Sequence, residues 1–176
     1  MMQKKAAAAQ ACLFDELDLE VHGSNINDIV YTPDRVARTI LEHFAPKGVL
    51  LDPCRGDGAF HKYMAGAQYC EILEGKDFFK WTAPVDWIIS NPPYSIYRDW
   101  LLHSFEVADN IVYLIPISKA FTTSALLDAT LEFGGIAEVL YLGSARDMGF
   151  DLGFAMGAVH YQRGYKGPTT YRRVIT

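Results

Sequence analysis

Asn91, Pro92, Pro93 and Tyr94 follow directly on the apolar run VDWIIS (85–90). Pro92 lacks a backbone N–H and holds Asn91 in extended geometry, and Pro93 removes the next donor as well. The Asn91 side-chain oxygen and the Pro92 carbonyl therefore form a stiff pair of acceptors beside the face of Tyr94. Two acceptors match an amino group with two hydrogens, and a tyrosine ring suits stacking on the planar group that carries it. A second stretch, DPCRGDGAF (52–60), ends the run GVLLDP in the same manner. Gly56 and Gly58 let the backbone turn sharply and approach a ligand, and Asp52 places a carboxylate at the start of the turn. The spacing is not G-x-G-x-x-G. An acid at this point opposes a phosphate and suits an ammonium group. Taken singly, each stretch also reads as a plain turn; together they point to a site.

The elements that must position these residues alternate. TPDRVARTILEHF (32–44) carries Val36, Ile40, Leu41 and Phe44 at helical spacing, behind a threonine and an N1-type proline. Short apolar runs at 48–53, YCEI (69–72), 85–90, 110–116, 136–142 and 154–161 read as strands buried on both faces. Helical segments fit between them, a short one at 59–66 and longer ones at 96–108 and 122–133. Strands alternating with helices predict an α/β fold with a doubly wound, mostly parallel sheet. In such a sheet ligands bind beyond the carboxyl ends of the strands, where both stretches fall.

The 176 residues suffice for one domain with a sizeable core, and no apolar run nears the roughly 18 residues that span a bilayer. Residues 1–24 read as a tail or surface helix and not as an export signal, and 25–176 as a single domain with a short basic C-terminal tail. Cys12, Cys54 and Cys70 are odd in number and lack metal-ligand spacing, which suggests a reducing cytoplasm with buried or idle thiols. The five histidines form no HxxxH or HExxH pattern, so no metal is expected. The net charge of −5 argues against binding a polyanion over the whole surface. The acids, however, crowd the start, and after Asp151 only Arg163, Lys166, Arg172 and Arg173 carry charge.

DPCRGDGAF followed by SNPPYS resembles the S-adenosylmethionine-dependent amino-methyltransferases, most closely the gamma-order N6-adenine DNA methyltransferases. YTPDRVA (31–37) stands where that family has a threonine-proline segment, and the resemblance covers roughly residues 28–162. It implies a Rossmann-like class I methyltransferase with an antiparallel last strand and S-adenosyl-L-methionine as cofactor. Thr32 and Pro33 would touch the methionine carboxylate, and Asp52, Pro53, Gly56 and Gly58 would hold the amino acid end of the cofactor. Glu71 would accept from the ribose hydroxyls, and Asp77 from the cofactor's adenine amine with Phe78 against its ring. Asn91, Pro92, Pro93 and Tyr94 would carry catalysis by binding the target amine, with Asn91 bordering the cofactor. Phe150 is the candidate for a late aromatic on the target base, and Lys119, Arg146 and the basic tail for contacts to the substrate backbone.

Two departures from the family pattern qualify this. Only six positions separate Glu71 from Asp77, too few for a helix and third strand, so that strand should be missing or a stub, with YCEI at an edge. Only about 15 residues follow the last strand, which leaves no separate target-recognition domain. The partner is then DNA with short or no sequence preference, RNA or single strands, or DNA presented by a specificity chain or a second copy. A glutamine side-chain amide and a cofactor-binding module without turnover are the alternatives. A cytoplasmic enzyme of a phage or mobile element, acting in restriction-modification, fits the size.

Overall fold

The computed structural model describes residues 31–148 and 153–174. Helix α1 (Asp34–Phe44) buries Val36, Ala37 and Ile40 on one face. Pro33 precedes its first turn, and its carbonyl accepts from Val36 N (2.9 Å) and Ala37 N (3.2 Å). The proline thus stands at the cap, one position before the N1 place expected of it. The chain then runs through β1 (Leu50–Asp52), β2 (Gln68–Tyr69), β3 (Val85–Ser90), α2 (Tyr97–Val107), β4 (Ala108–Pro116), α3 (Ser124–Phe133), β5 (Gly134–Ser144), β6 (Ala155–Arg163) and β7 (Thr170–Arg173).

The strands form one sheet in the order β2-β1-β3-β4-β6-β5-β7. β2, β1, β3 and β4 are parallel, β6 is antiparallel to both β4 and β5, and β7 is parallel to β5. Side-chain alternation explains why the central runs are apolar without a break. Ile111, Tyr113 and Ile115 of β4 pack with α2 and α3 on one face, while Val112 and Leu114 pack with α1 on the other. Each such side chain fully removed from water contributes about 1.5–3 kcal/mol.

Three expectations change. The segment 59–66 is no α-helix: it holds a single 3-10 turn, His61–Tyr63, because Gly58 (φ 87) and Gly66 (φ 76) bracket a stretch too short to pay for helix nucleation. YCEI forms a strand only up to Tyr69, since the Glu71 carboxylate accepts from Leu73 N (3.1 Å) and turns the chain into a 3-10 turn at Ile72–Glu74. β2 does lie at the sheet edge, and along the chain no strand intervenes between β2 and β3 among the described residues. Residues 170–173, read as part of a tail, pair with β5 as β7.

Candidate functional site

Strand order reverses between β1 and β3, which leave β2 on one side and β4 on the other, so the crevice lies at their carboxyl ends. Asp52 ends β1 and is 1% exposed. Its Oδ1 accepts from the Ser90 hydroxyl at 2.6 Å, across to the end of β3. Its Oδ2 is buried and has no hydrogen-bond donor among the described residues. Burial pushes the Asp52 carboxyl up to about 7, against the Ser90 hydroxyl and the Cys54 backbone N–H, which favour the anion. A buried acceptor without a donor is costly, and it fits a ligand that brings a cationic one.

The turn after Asp52 supports the same fit. Gly56 (φ 55) and Gly58 (φ 87) adopt left-handed backbone, and a Cβ built on Gly58 would meet nothing within 4 Å. Gly56 N donates to Glu71 Oε2 at 2.8 Å, so Glu71 ties the glycine turn to the end of β2. Each Glu71 oxygen retains a second acceptor direction. The Tyr31 ring lies 3.8 Å from where a Gly56 Cβ would be; the next residue, Thr32, is 8% exposed, and Pro33 precedes α1. Asp77 caps the 3-10 turn Phe78–Lys80 through Phe79 N (3.0 Å). Phe78 is 2% exposed and packs on Trp100 at 4.7 Å between ring centroids, in the core under α2.

Beyond β3 the chain runs Asn91-Pro92-Pro93-Tyr94. The Tyr94 hydroxyl donates to Asn91 Oδ1 at 2.8 Å, so the aromatic and the amide are already paired. The Cys54 thiol donates to the Asn91 carbonyl at 3.1 Å and lies 3.1 Å from the Ser90 hydroxyl. Desolvation, with Asp52 nearby, holds that thiol well above its ordinary range, so it stays protonated and able to donate. Asp52, Ser90, Cys54 and Asn91 form one connected group joining the two stretches.

Ser90 and Cys54 were not among the expected site residues. Their signal is weak, because each acts through partners in the other stretch, 36 to 38 residues away.

The other expected residues are dispersed. Lys119 donates to the Tyr94 carbonyl at 3.2 Å and so faces the site's own backbone. Arg146 is exposed in the 3-10 turn after β5, 3.8 Å from where a Gly153 Cβ would be. Phe150 lies outside the described residues. Half of the basic tail serves the fold. Arg163 donates to the carbonyls of Phe105 (2.6 Å) and Ala108 (2.8 Å) at the end of α2, and Lys166 to that of Leu131 (2.8 Å) near the end of α3. A groove elsewhere, between α1 and the β5–β7 edge, includes Arg172 and Arg173 but neither Asp52 nor Asn91. Among the described residues no cluster of His, Cys, Asp and Glu could hold a metal, and no helix is long and apolar enough to cross a membrane.

No family model matches the chain, and no curated protein does. Solved structures do. A Listeria monocytogenes protein provisionally named a class I S-adenosylmethionine-dependent methyltransferase superposes with a TM-score of 0.62 at 14% identity, over 96% of this chain and 72% of that one. A provisionally named modification subunit of a type I restriction enzyme from Vibrio vulnificus YJ016 gives 0.59 at 13%, over 99% of this chain. The present chain spans about half, 52%, of that subunit. A provisionally named RNA methyltransferase from Pyrococcus horikoshii gives 0.56 at 13%, over 96% of this chain and 99% of that one. At such identities the likeness establishes architecture: the chain has the Rossmann-like fold of class I methyltransferases.

Proposed function

We propose that this chain transfers a methyl group from S-adenosyl-L-methionine to the exocyclic N6 amine of adenine in DNA, with little or short sequence preference. One observation carries the reading. Asp52, with its unpartnered buried oxygen, is hydrogen-bonded through Ser90 to the strand end that bears Asn91, so an ammonium site and an amine-accepting turn adjoin. When bound, the cofactor supplies an electrophilic methyl on a sulfonium centre. Asp52, Pro53, Gly56 and Gly58 would hold its amino acid end, Thr32 and Pro33 its carboxylate, and Glu71 and Asp77 its nucleoside, while Phe78, expected against the cofactor ring, is core under α2 and would back the site from behind.

The remaining chemistry belongs to the turn. The lone pair of an adenine amine is delocalised into the ring and is a poor nucleophile. Hydrogen bonds from both amine hydrogens to Asn91 Oδ1 and the Pro92 carbonyl draw it toward sp³ geometry, and they strengthen as charge develops. The Tyr94 hydroxyl now occupies that Asn91 oxygen. The incoming amine replaces it as donor, which turns the tyrosine ring into a face for the base. The methylated nitrogen, now cationic and strongly acidic, passes its surplus proton to water, so no tuned base is required and positioning supplies much of the rate.

Adenine in RNA or in single strands is the second reading. It is favoured because an unpaired base needs no flipping, and Lys119, Arg163 and Lys166, which donate to backbone carbonyls, would not offset the cost of flipping a paired one. A base in a duplex must flip at a cost of a few kcal/mol, normally offset by backbone contacts. A specificity chain or a second copy would supply them for duplex DNA, in keeping with the likeness to a modification subunit of which this chain covers half.

The test is transfer of labelled methyl to duplex DNA, single-stranded DNA and RNA, followed by digestion to nucleosides. Label in N6-methyladenine that disappears with Asn91→Ala is the expected result. Label on no nucleic acid, with the cofactor still bound, would overturn the substrate assignment.

A further inference from the structure

We propose that Lys119 is a positioning residue that clamps the amine-accepting turn from β4, in place of the backbone contact to substrate that its sequence position suggested; this rests on the methyl-transfer reading above. The turn needs an external clamp. Pro92 and Pro93 have no N–H, so neither can donate a hydrogen bond that would close the turn on itself, and its carbonyls must find donors elsewhere. Among the described contacts, two such donors come from residues beyond different strands. The thiol of Cys54, beyond β1, donates to the Asn91 carbonyl at 3.1 Å, and the ammonium of Lys119, beyond β4, donates to the Tyr94 carbonyl at 3.2 Å. Between these anchors lies the Tyr94 to Asn91 hydrogen bond that sets the amide's orientation.

The position of Lys119 is itself built. It lies half-buried in the 3-10 turn Ile117–Phe121, and Ile117 packs over Gly157 of β6, where a Cβ would come within 2.9 Å of Ile117 Cγ1. A larger residue at 157 would push the turn off the sheet and withdraw the ammonium. A charge-assisted bond to a carbonyl at the edge of a crevice is stronger than a neutral one and points the lysine inward.

Lys119→Met and Lys119→Arg separate the possibilities, each first checked for an unchanged melting transition. Four quantities are read on the nucleic acid the wild-type protein methylates best: kcat, KM, the dependence of KM on salt, and amide hydrogen exchange at residues 94–97. For Lys119→Met we expect kcat to fall about 10- to 100-fold, as a small misplacement of reacting groups costs. KM should stay within about 3-fold, the salt dependence unchanged, and exchange at 94–97 faster by about 10-fold. Lys119→Arg, which keeps a donor for the carbonyl, should recover most of kcat. A raised KM at unchanged kcat, with the log–log salt slope smaller by about one, would identify a phosphate contact and overturn the proposal. Unchanged kinetics and exchange would overturn it as well. If the wild-type protein methylates no nucleic acid, the reaction reading has failed and exchange alone decides: faster at 94–97 in Lys119→Met supports the clamp, and unchanged exchange refutes it.

Discussion

Asp52 shows how one side chain couples binding to stability. Its carboxyl is raised by burial from 3.8 to about 7, so it holds a proton in the folded chain at pH values where the unfolded chain has lost it. Such a group stabilises the fold below about 4, and that contribution is lost as the pH rises through about 7, on the order of 4 kcal/mol in all. Asp52→Asn should therefore gain in melting temperature relative to wild type as the pH is raised from 5 to 8, while binding S-adenosylmethionine at least about 10-fold more weakly. Calorimetry in matched buffers with and without cofactor checks both. In the wild-type protein, cofactor affinity should fall as the pH drops below 7, because an ammonium needs the carboxylate. The residue types of this site could be read directly: an acid before glycines, and an amide before two prolines. Ser90 and Cys54 could not, since a serine and a cysteine acquire their role only from partners 36 to 38 residues away.

Helices α2 and α3 end against cations that looked, in the chain, like a basic tail. A helix C-terminus presents unpaired carbonyls and a partial negative charge, and Arg163 and Lys166 satisfy both from β6 and the residues just after it. Arg163 also donates to Asp109 Oδ1 at 2.8 Å and lies over the Phe133 ring, 4.7 Å from its centroid. Arg163→Met should cost about 1–2 kcal/mol of stability in urea unfolding, a figure kept low because the side chain is partly exposed, and should leave nucleic-acid affinity unchanged. The long elements were legible from periodicity, as α1, α2 and α3 all match their apolar spacing within a few residues. The short ones were not. In 59–66 two positive-φ glycines outweighed a weak helical pattern, and in YCEI the Glu71 side chain redirected the chain more strongly than the β-propensity of its neighbours. The missing third strand was foreseeable because six residues cannot hold a helix and a strand, whatever their composition.

The assembled sheet buries a histidine whose titration should oppose that of Asp52 on acidification. His160 of β6 stacks on Trp87 of β3 (5.2 Å between centroids), approaches Phe44 of α1, and lies 3.1 Å from Asn110 Oδ1. Burial lowers its pKa to about 4, against the partial opposition of Glu138. A depressed histidine contributes stability above about 6.5, and this is lost as the pH falls through about 4, up to about 3 kcal/mol. Because Asp52 acts with the opposite sign over the same range, the effect is read as a difference: relative to wild type, His160→Gln should gain stability as the pH is lowered from 6.5 to 4, measured by urea unfolding at each pH, and a pH dependence equal to wild type would refute this.

No local pattern marks that histidine, because its environment comes from three elements distant in the chain. The fold class and the pair of motif turns follow from periodicity, strand-end chemistry and loop length, which are properties of neighbouring residues, while the antiparallel strand was implied by the family resemblance alone. Which cations bind backbone carbonyls, which thiol holds the asparagine turn, and which acid lies without a donor arise where separate strands meet. They depend on distances across the sheet that no stretch of sequence contains.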